Sequence, residues 1–285
     1  MQLYAYHGGD IITNKESNLK TEKDQIDWNR LWNEDLKKMP TLNYSAWDKI
    51  AVQFNKWMET DDYPQKLLEK IITYPQYTIL DIGCGNGAVT LQIAKKVNHV
   101  TALDMSSEML QFLRKNALNE ELSNIDYIRS TLQDFEMDKI YDVVIASRSL
   151  NGVADIKNEL KKIDFAAKKY VFITLWGVNA RGFEKKAYEI IGRNFQNHPD
   201  YLYVYNILHQ MGIYANVEML ECETKPTYAN LDEAIDFLRW RIKDLTDKEE
   251  SLLKDYLKDV MINDDNGILQ YPYDKSDWVL IWWKK

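Results

Sequence analysis

The stretch "ILDIGCGNGAVTLQIAKKV", Ile79 to Val97, decides how the rest of the chain is read. An apolar run reaches Asp81, glycines follow at alternate positions (Gly83, Gly85 and Gly87), and a helical pattern begins near Ala88. Glycine admits positive φ and lets backbone come close to a ligand, while free N–H groups at such a turn favour polar or anionic atoms. A nicotinamide-dinucleotide turn, GxGxxG, needs its third glycine one position after Gly87, where Ala88 stands. The spacing here is D-x-G-x-G-x-G.

Working outward, "YTILDIG", "HVTALDM", "IDYIRS", "YDVVIAS" and "YVFITLW" read as strands, with helical patterns starting near Ala88, Ser107 and Asp155. Strands alternating with helices imply parallel pairing through crossovers, a doubly wound α/β core. Upstream, "IDWNRLWNEDLKKM" and "SAWDKIAVQFNKWM" space their apolar residues at helical period. Downstream come helical text in "GFEKKAYEIIGRNF" and "YVYNILHQMG", a strand "NVEMLE", two charged amphipathic stretches (231–241 and 247–261) and a last strand "DWVLIWW". In "DKEESLLKDYLKD" the pattern turns Leu252, Leu253, Tyr256 and Leu257 inward.

These residues carry a family resemblance. D-x-G-x-G-x-G at a strand end resembles the first motif of the class I, Rossmann-like S-adenosylmethionine-dependent methyltransferases. A second match is "VTALDMSSEML", with Asp104 at the next strand end, ~20 residues beyond the glycines, and Ser106 or Ser107 as N-cap. The resemblance covers residues 76 to 178 and implies a mostly parallel seven-stranded sheet whose last strand is antiparallel. It implies S-adenosyl-L-methionine as cofactor and S-adenosyl-L-homocysteine as product. It further implies a cofactor set of Asp81 at the amino group, Ile82, Gly83, Cys84, Gly85, Asn86 and Gly87 along the turn, and Asp104 at the ribose hydroxyls. Met105 would pack on the adenine with Leu132, Gln133 or Asp134 near its edge, and Ser147, Arg148 and Ser149 would lie beside the sulfonium. Many members carry an Asp at about the position of Thr131, so the adenine amino contact stays open.

A net charge of −8 disfavours nucleic acid and anionic membranes as partners and favours a small-molecule acceptor. The residues after strand four, "SRSL", also depart from the [DNS]-P-P-[FYW] motif of nucleobase and glutamine methyltransferases. The apolar runs "VFITLW" and "WVLIWW" fall short of the ~20 residues a span requires, so a cytoplasmic protein is expected. His7, His99, His198 and His209 have no partners at ligand spacing, so no metal site is expected. Cys84 and Cys222 read as reduced packing residues, neither preceded by proline as in thiolate-dependent cytosine methylation.

Three segments organise the chain: residues 1–75, an N-terminal helical extension or lid; 76–178, the cofactor-binding core; and 179–285, the rest of the sheet with a helical insertion forming a substrate cap. Trp28, Trp32 and Trp57 read as core, whereas Trp47 belongs to the helix expected to fold over the cofactor. Tyr201, Tyr205 and His209 share one helical face and line either a substrate cavity or a packing face. In-line methyl transfer requires positioning above all, so no catalytic residue is assigned; His198, His209 or Tyr205 would serve if a base is needed. The aromatic N-terminal helices pack on their own core or on a second copy, a possible homodimer. Competing readings are a non-catalytic binding module, a methyltransferase acting on a macromolecule, and a nicotinamide-dependent oxidoreductase.

Overall fold

A computed structural model describes residues 26–39, 44–196, 198–223, 227–263, 267–274 and 277–285. His7 and the opening segment "MQLYAYHGGDIITNKES" lie outside the described residues. The strands β1 (Thr78–Ile82), β2 (His99–Asp104), β3 (Ile125–Arg129), β4 (Tyr141–Ser147), β5 (Ala167–Trp176), β6 (Asn216–Leu220) and β10 (Trp278–Lys284) form one sheet in the order β3-β2-β1-β4-β5-β10-β6. β1 pairs in parallel with both β2 and β4, whereas β10 runs antiparallel between β5 and β6. All seven strands read from the sequence are present. The order reverses at β1 and β4, where a crevice opens beyond the strands' carboxyl ends, the usual ligand position in such sheets.

Alternation along the strands feeds two cores. Leu80, Val144, Ile173 and Ile281 point to a face covered by α1 (Trp28–Leu36), α6 (Ile156–Ala166) and α8 (Tyr201–Gln210). Ile79, Val143, Phe172 and Leu280 point to the other, where residues of α3 (Tyr63–Leu68), α4 (Thr90–Ala94) and α5 (Ser107–Asn119) pack. Successive strand residues face opposite sides, so a continuous apolar run serves both.

The N-terminal helices pack on their own chain. Trp32 is fully buried and donates its indole N–H to Val153 O at 2.7 Å. α2 (Tyr44–Met58) lies against α5: Asp48 Oδ1 accepts from the Ser106 hydroxyl at 2.5 Å, and Asn55 Oδ1 accepts from Asn86 at 2.9 Å. Ser106 is the N-cap, accepting from Met109 N.

Between β6 and β10 the chain inserts α9 (Leu231–Arg241), α10 (Asp247–Val260) and a small antiparallel sheet that the sequence did not reveal, β7 (Thr227–Tyr228), β9 (Leu269–Gln270) and β8 (Ile262–Asn263). Two-residue strands carry too little alternation to be read. With α7 (Gly182–Ile190), this insertion has its own core of Phe183, Tyr228, Ile235, Leu238, Leu253 and Leu257. Leu252, expected inward, is 44% exposed, because the buried face of α10 runs through Leu253 and Leu257.

Candidate active site

One cavity of about 710 Å³ opens at the carboxyl ends of the strands, inside the roughly 300–1,000 Å³ range of ligand sites. Its floor is the glycine turn, and α2 contributes Trp47, Ile50, Phe54, Trp57 and Met58 above it. Of the expected cofactor residues, Asp81, Ile82, Gly83, Cys84, Gly85, Asn86, Asp104, Met105, Leu132, Gln133, Ser147 and Arg148 all line this space.

The turn is fixed before any ligand enters. Gly83 N and Cys84 N both donate to Leu103 O, at 2.7 and 3.0 Å. Gly83 has φ +70°, and a Cβ there would lie 2.3 Å from Ser149 Cβ. Gly87, expected along the ligand, is not part of the lining: a Cβ there would meet Leu113 Cδ1 at 2.2 Å, so its role is close packing of the turn on α5.

The two acids differ. Asp104 receives Gly85 N at 2.9 Å on one oxygen and Ser106 N at 2.8 Å on the other. Burial raises its pKa while these N–H groups oppose the rise, and each oxygen keeps a second acceptor direction. Asp81 Oδ2 accepts from the Thr90 hydroxyl at 2.6 Å, but Oδ1 is buried with no partner. Burial drives this carboxyl up to about 6, against the Thr90 bond and aided by Asp104. A buried, unpartnered carboxylate oxygen beside a glycine turn suits an ammonium donor. Burial pushes the Cys84 thiol well up and that of Cys222 to about 11, which disfavours the thiolate at both. Both cysteines are free.

Arg148 follows β4 in the left-handed region, φ +57°. Its guanidinium pairs with Asp61 at 2.9 Å and lies 3.9 Å from the centre of the Tyr63 ring. Tyr63 is buried, its hydroxyl bonded to Ser147 and Thr174, and burial lifts it to about 12. Arg148 thus clamps the segment joining α2 to α3 onto the strand ends. Asp48, Asp61 and Tyr63 carried no motif in the sequence; helix periodicity alone does not say which polar residue meets the sheet.

The remaining walls come from α7, α9, the ends of β5 and β10 and the segments beside them: Trp176, Arg181, Glu184, His198, Phe237, Trp240, Arg241, Asp274, Asp277 and Trp278. Trp47 packs edge-on against Trp240, and Trp57 against Phe237, joining α2 to the insertion. Trp57, read as core, packs on the insertion's core and also forms part of the cavity wall. Tyr201, Tyr205 and His209, by contrast, correct to positions outside the lining. α8 lies on the sheet, so both tyrosines pack on the core, and His209 is exposed beside Tyr214. Arg181, Glu184 and Arg241 carried no motif in the sequence, and only their burial sets them apart.

A family model described as a methyltransferase domain matches residues 74–200. An uncharacterized protein of Haemophilus influenzae is 32% identical over 248 residues, 83% of this chain and 88% of that one. An (S)-tetrahydroprotoberberine N-methyltransferase of Eschscholzia californica is 35% identical over 88 residues; this covers 30% of the chain and only 25% of the plant protein. The crystal structure of a Bacillus halodurans protein, described as a candidate methyltransferase, shares the fold with a TM-score of 0.54 at 13% identity, over 78% of this chain and 98% of that one. Among the described residues no helix is long and apolar enough to cross a membrane.

Proposed function

The chain belongs to the class I S-adenosylmethionine-dependent methyltransferases, and on that premise we propose that it methylates a small-molecule acceptor enclosed between α2 and the 227–274 insertion. The observation carrying this reading is the cover. Trp47 and Trp57 from one side meet Trp240 and Phe237 from the other, so an acceptor has to fit inside the cavity. In this reading residues 1–75 supply the lid through α2, and 179–285 supply the cap.

When bound, the cofactor supplies a methyl group on a sulfonium, already activated for in-line displacement. The chain's residues bind and orient. Asp81 Oδ1 takes the ammonium, for which it is the unpartnered acceptor. Asp104 uses its remaining acceptor directions for the ribose hydroxyls, and Met105 and Leu132 flank the adenine with Gln133 at its edge. Ile82, Gly83, Cys84, Gly85 and Asn86 form the backbone surface beneath, with Ser147 and Arg148 at the strand end. Of the three candidate bases only His198 lines the cavity; its Nδ1 has no hydrogen-bond partner among the described residues, and in this reading it takes a proton from an acceptor that arrives protonated. Aligning nucleophile, methyl and leaving sulfur is the larger contribution.

The test incubates the protein with methyl-labelled S-adenosylmethionine and a cell extract split by size. Label in the low-molecular-mass fraction is expected; label confined to protein or nucleic acid overturns the enclosed-acceptor reading.

A further inference from the structure

Resting on the methyltransferase reading, we propose that the acceptor carries a carboxylate, held at the capped end of the cavity between Arg181 and Arg241. Arg181 follows β5 with φ +68°, a conformation a non-glycine residue keeps only where its surroundings impose it. Its side chain is 8% exposed. Nη2 pairs with Glu184, while Nε and Nη1 are buried with no partner. Arg241, at the end of α9, stacks 4.0 Å from the centre of the Trp240 ring, and its Nε is buried without a hydrogen bond. The indole N–H groups of Trp57 and Trp240 are buried and unpartnered as well.

Folded proteins leave few buried donors unpaired, because each has given up its hydration for nothing. Here the residues with unpaired donors line one cavity beside a single carboxylate oxygen without a hydrogen bond, Glu184 Oε2, so donors outnumber acceptors in that wall and a ligand rich in acceptors fits it. The acid already present does not meet the demand. Glu184 serves Arg181 and lies 3.5 Å from Arg241 Nε, so one carboxylate is shared by two guanidiniums. Asp277 and Asp274 turn to backbone, accepting from Asn179 N at 2.7 Å and Phe183 N at 3.3 Å.

These three acids also set the charge of the guest. A dianionic phosphate would face Glu184, Asp274 and Asp277 in the same lining, whereas a carboxylate brings two acceptor oxygens and one charge to a guanidinium edge. The aromatic walls, Trp176, Phe237 and Trp240, suit an apolar body behind it.

Binding of benzoate, benzamide and phenyl phosphate to protein saturated with S-adenosylhomocysteine, followed by tryptophan fluorescence and calorimetry, tests this. Benzoate should bind at least about tenfold tighter than its neutral amide and tighter than phenyl phosphate. In Arg241→Met and Arg181→Met the preference for benzoate should fall to within about twofold, with S-adenosylhomocysteine affinity retained. Equal binding of benzoate and benzamide, no benzoate binding, or tighter phenyl phosphate each overturns the proposal. So does a loss of S-adenosylhomocysteine binding in a variant that still melts cooperatively, which would assign the arginines to the cofactor's own carboxylate. If a variant does not fold, the wild-type ratio decides alone. Failure of the wild type to bind S-adenosylhomocysteine would instead strike the underlying reading.

Discussion

At the glycine end of the cavity, Asp104 already holds Gly85 and Ser106, and Gly83 and Cys84 share Leu103 O. At the capped end, Arg181, Arg241, Trp57 and Trp240 keep donors that no described residue satisfies. The first region is built within residues 83–106 and is internally hydrogen-bonded. The second is assembled from segments far apart in the chain and is left underbonded. The contrast indicates a preformed seat for one ligand and a demanding, selective seat for another, since unmet donors penalise any guest that lacks acceptors.

The largest expected effect is at the glycine end. Gly83→Ala puts a Cβ 2.3 Å from Ser149 Cβ at φ +70°, and strain plus overpacking should weaken S-adenosylhomocysteine more than about a hundredfold by calorimetry. An affinity near wild type would mean that the turn yields more readily than the contrast requires. Asp104→Asn keeps the shape but exchanges a charged acceptor for an amide; about a thirtyfold loss is expected in the same titration. No loss would show that Asp104 serves the turn alone.

Acidity sharpens the comparison further. Asp81 is raised from 3.8 to about 6, so the folded chain holds a proton that the unfolded chain has released. Stability from this group is complete below about 4 and is lost as pH rises through about 6, by about 3 kcal/mol in the ligand-free protein. Ligand affinity moves the opposite way, because an ammonium needs the ionised acid. S-adenosylhomocysteine binding should weaken about fivefold from pH 6 to pH 5, and Asp81→Asn should flatten most of that slope. Asp104, also raised, accounts for what remains. A flat wild-type profile would remove Asp81 from the ammonium site. The smallest effect is a null one: His209→Ala, exposed and outside the cavity, should leave cofactor affinity and methyl transfer unchanged within about twofold.

The amino-acid sequence by itself determined the seven strands, the glycine turn and its two acids. Alternation, turn glycines and a capping serine act over a few residues, so Asp81, Gly83, Asp104 and Ser106 could be placed without knowing what surrounds them. Tertiary structure alone decided that Trp57 lines the cavity, that Tyr205 packs on the sheet, and that the Arg181 side chain is largely buried and that of Arg241 partly so. A side chain's burial depends on which distant element lies over it. Helical period puts Tyr201, Tyr205 and His209 on one face but does not say whether that face meets a ligand or a sheet. The underbonded end was therefore invisible in the text: an arginine at the surface and an arginine sealed beneath tryptophans are spelled alike, and the difference arises only when α2 and the insertion close over β5.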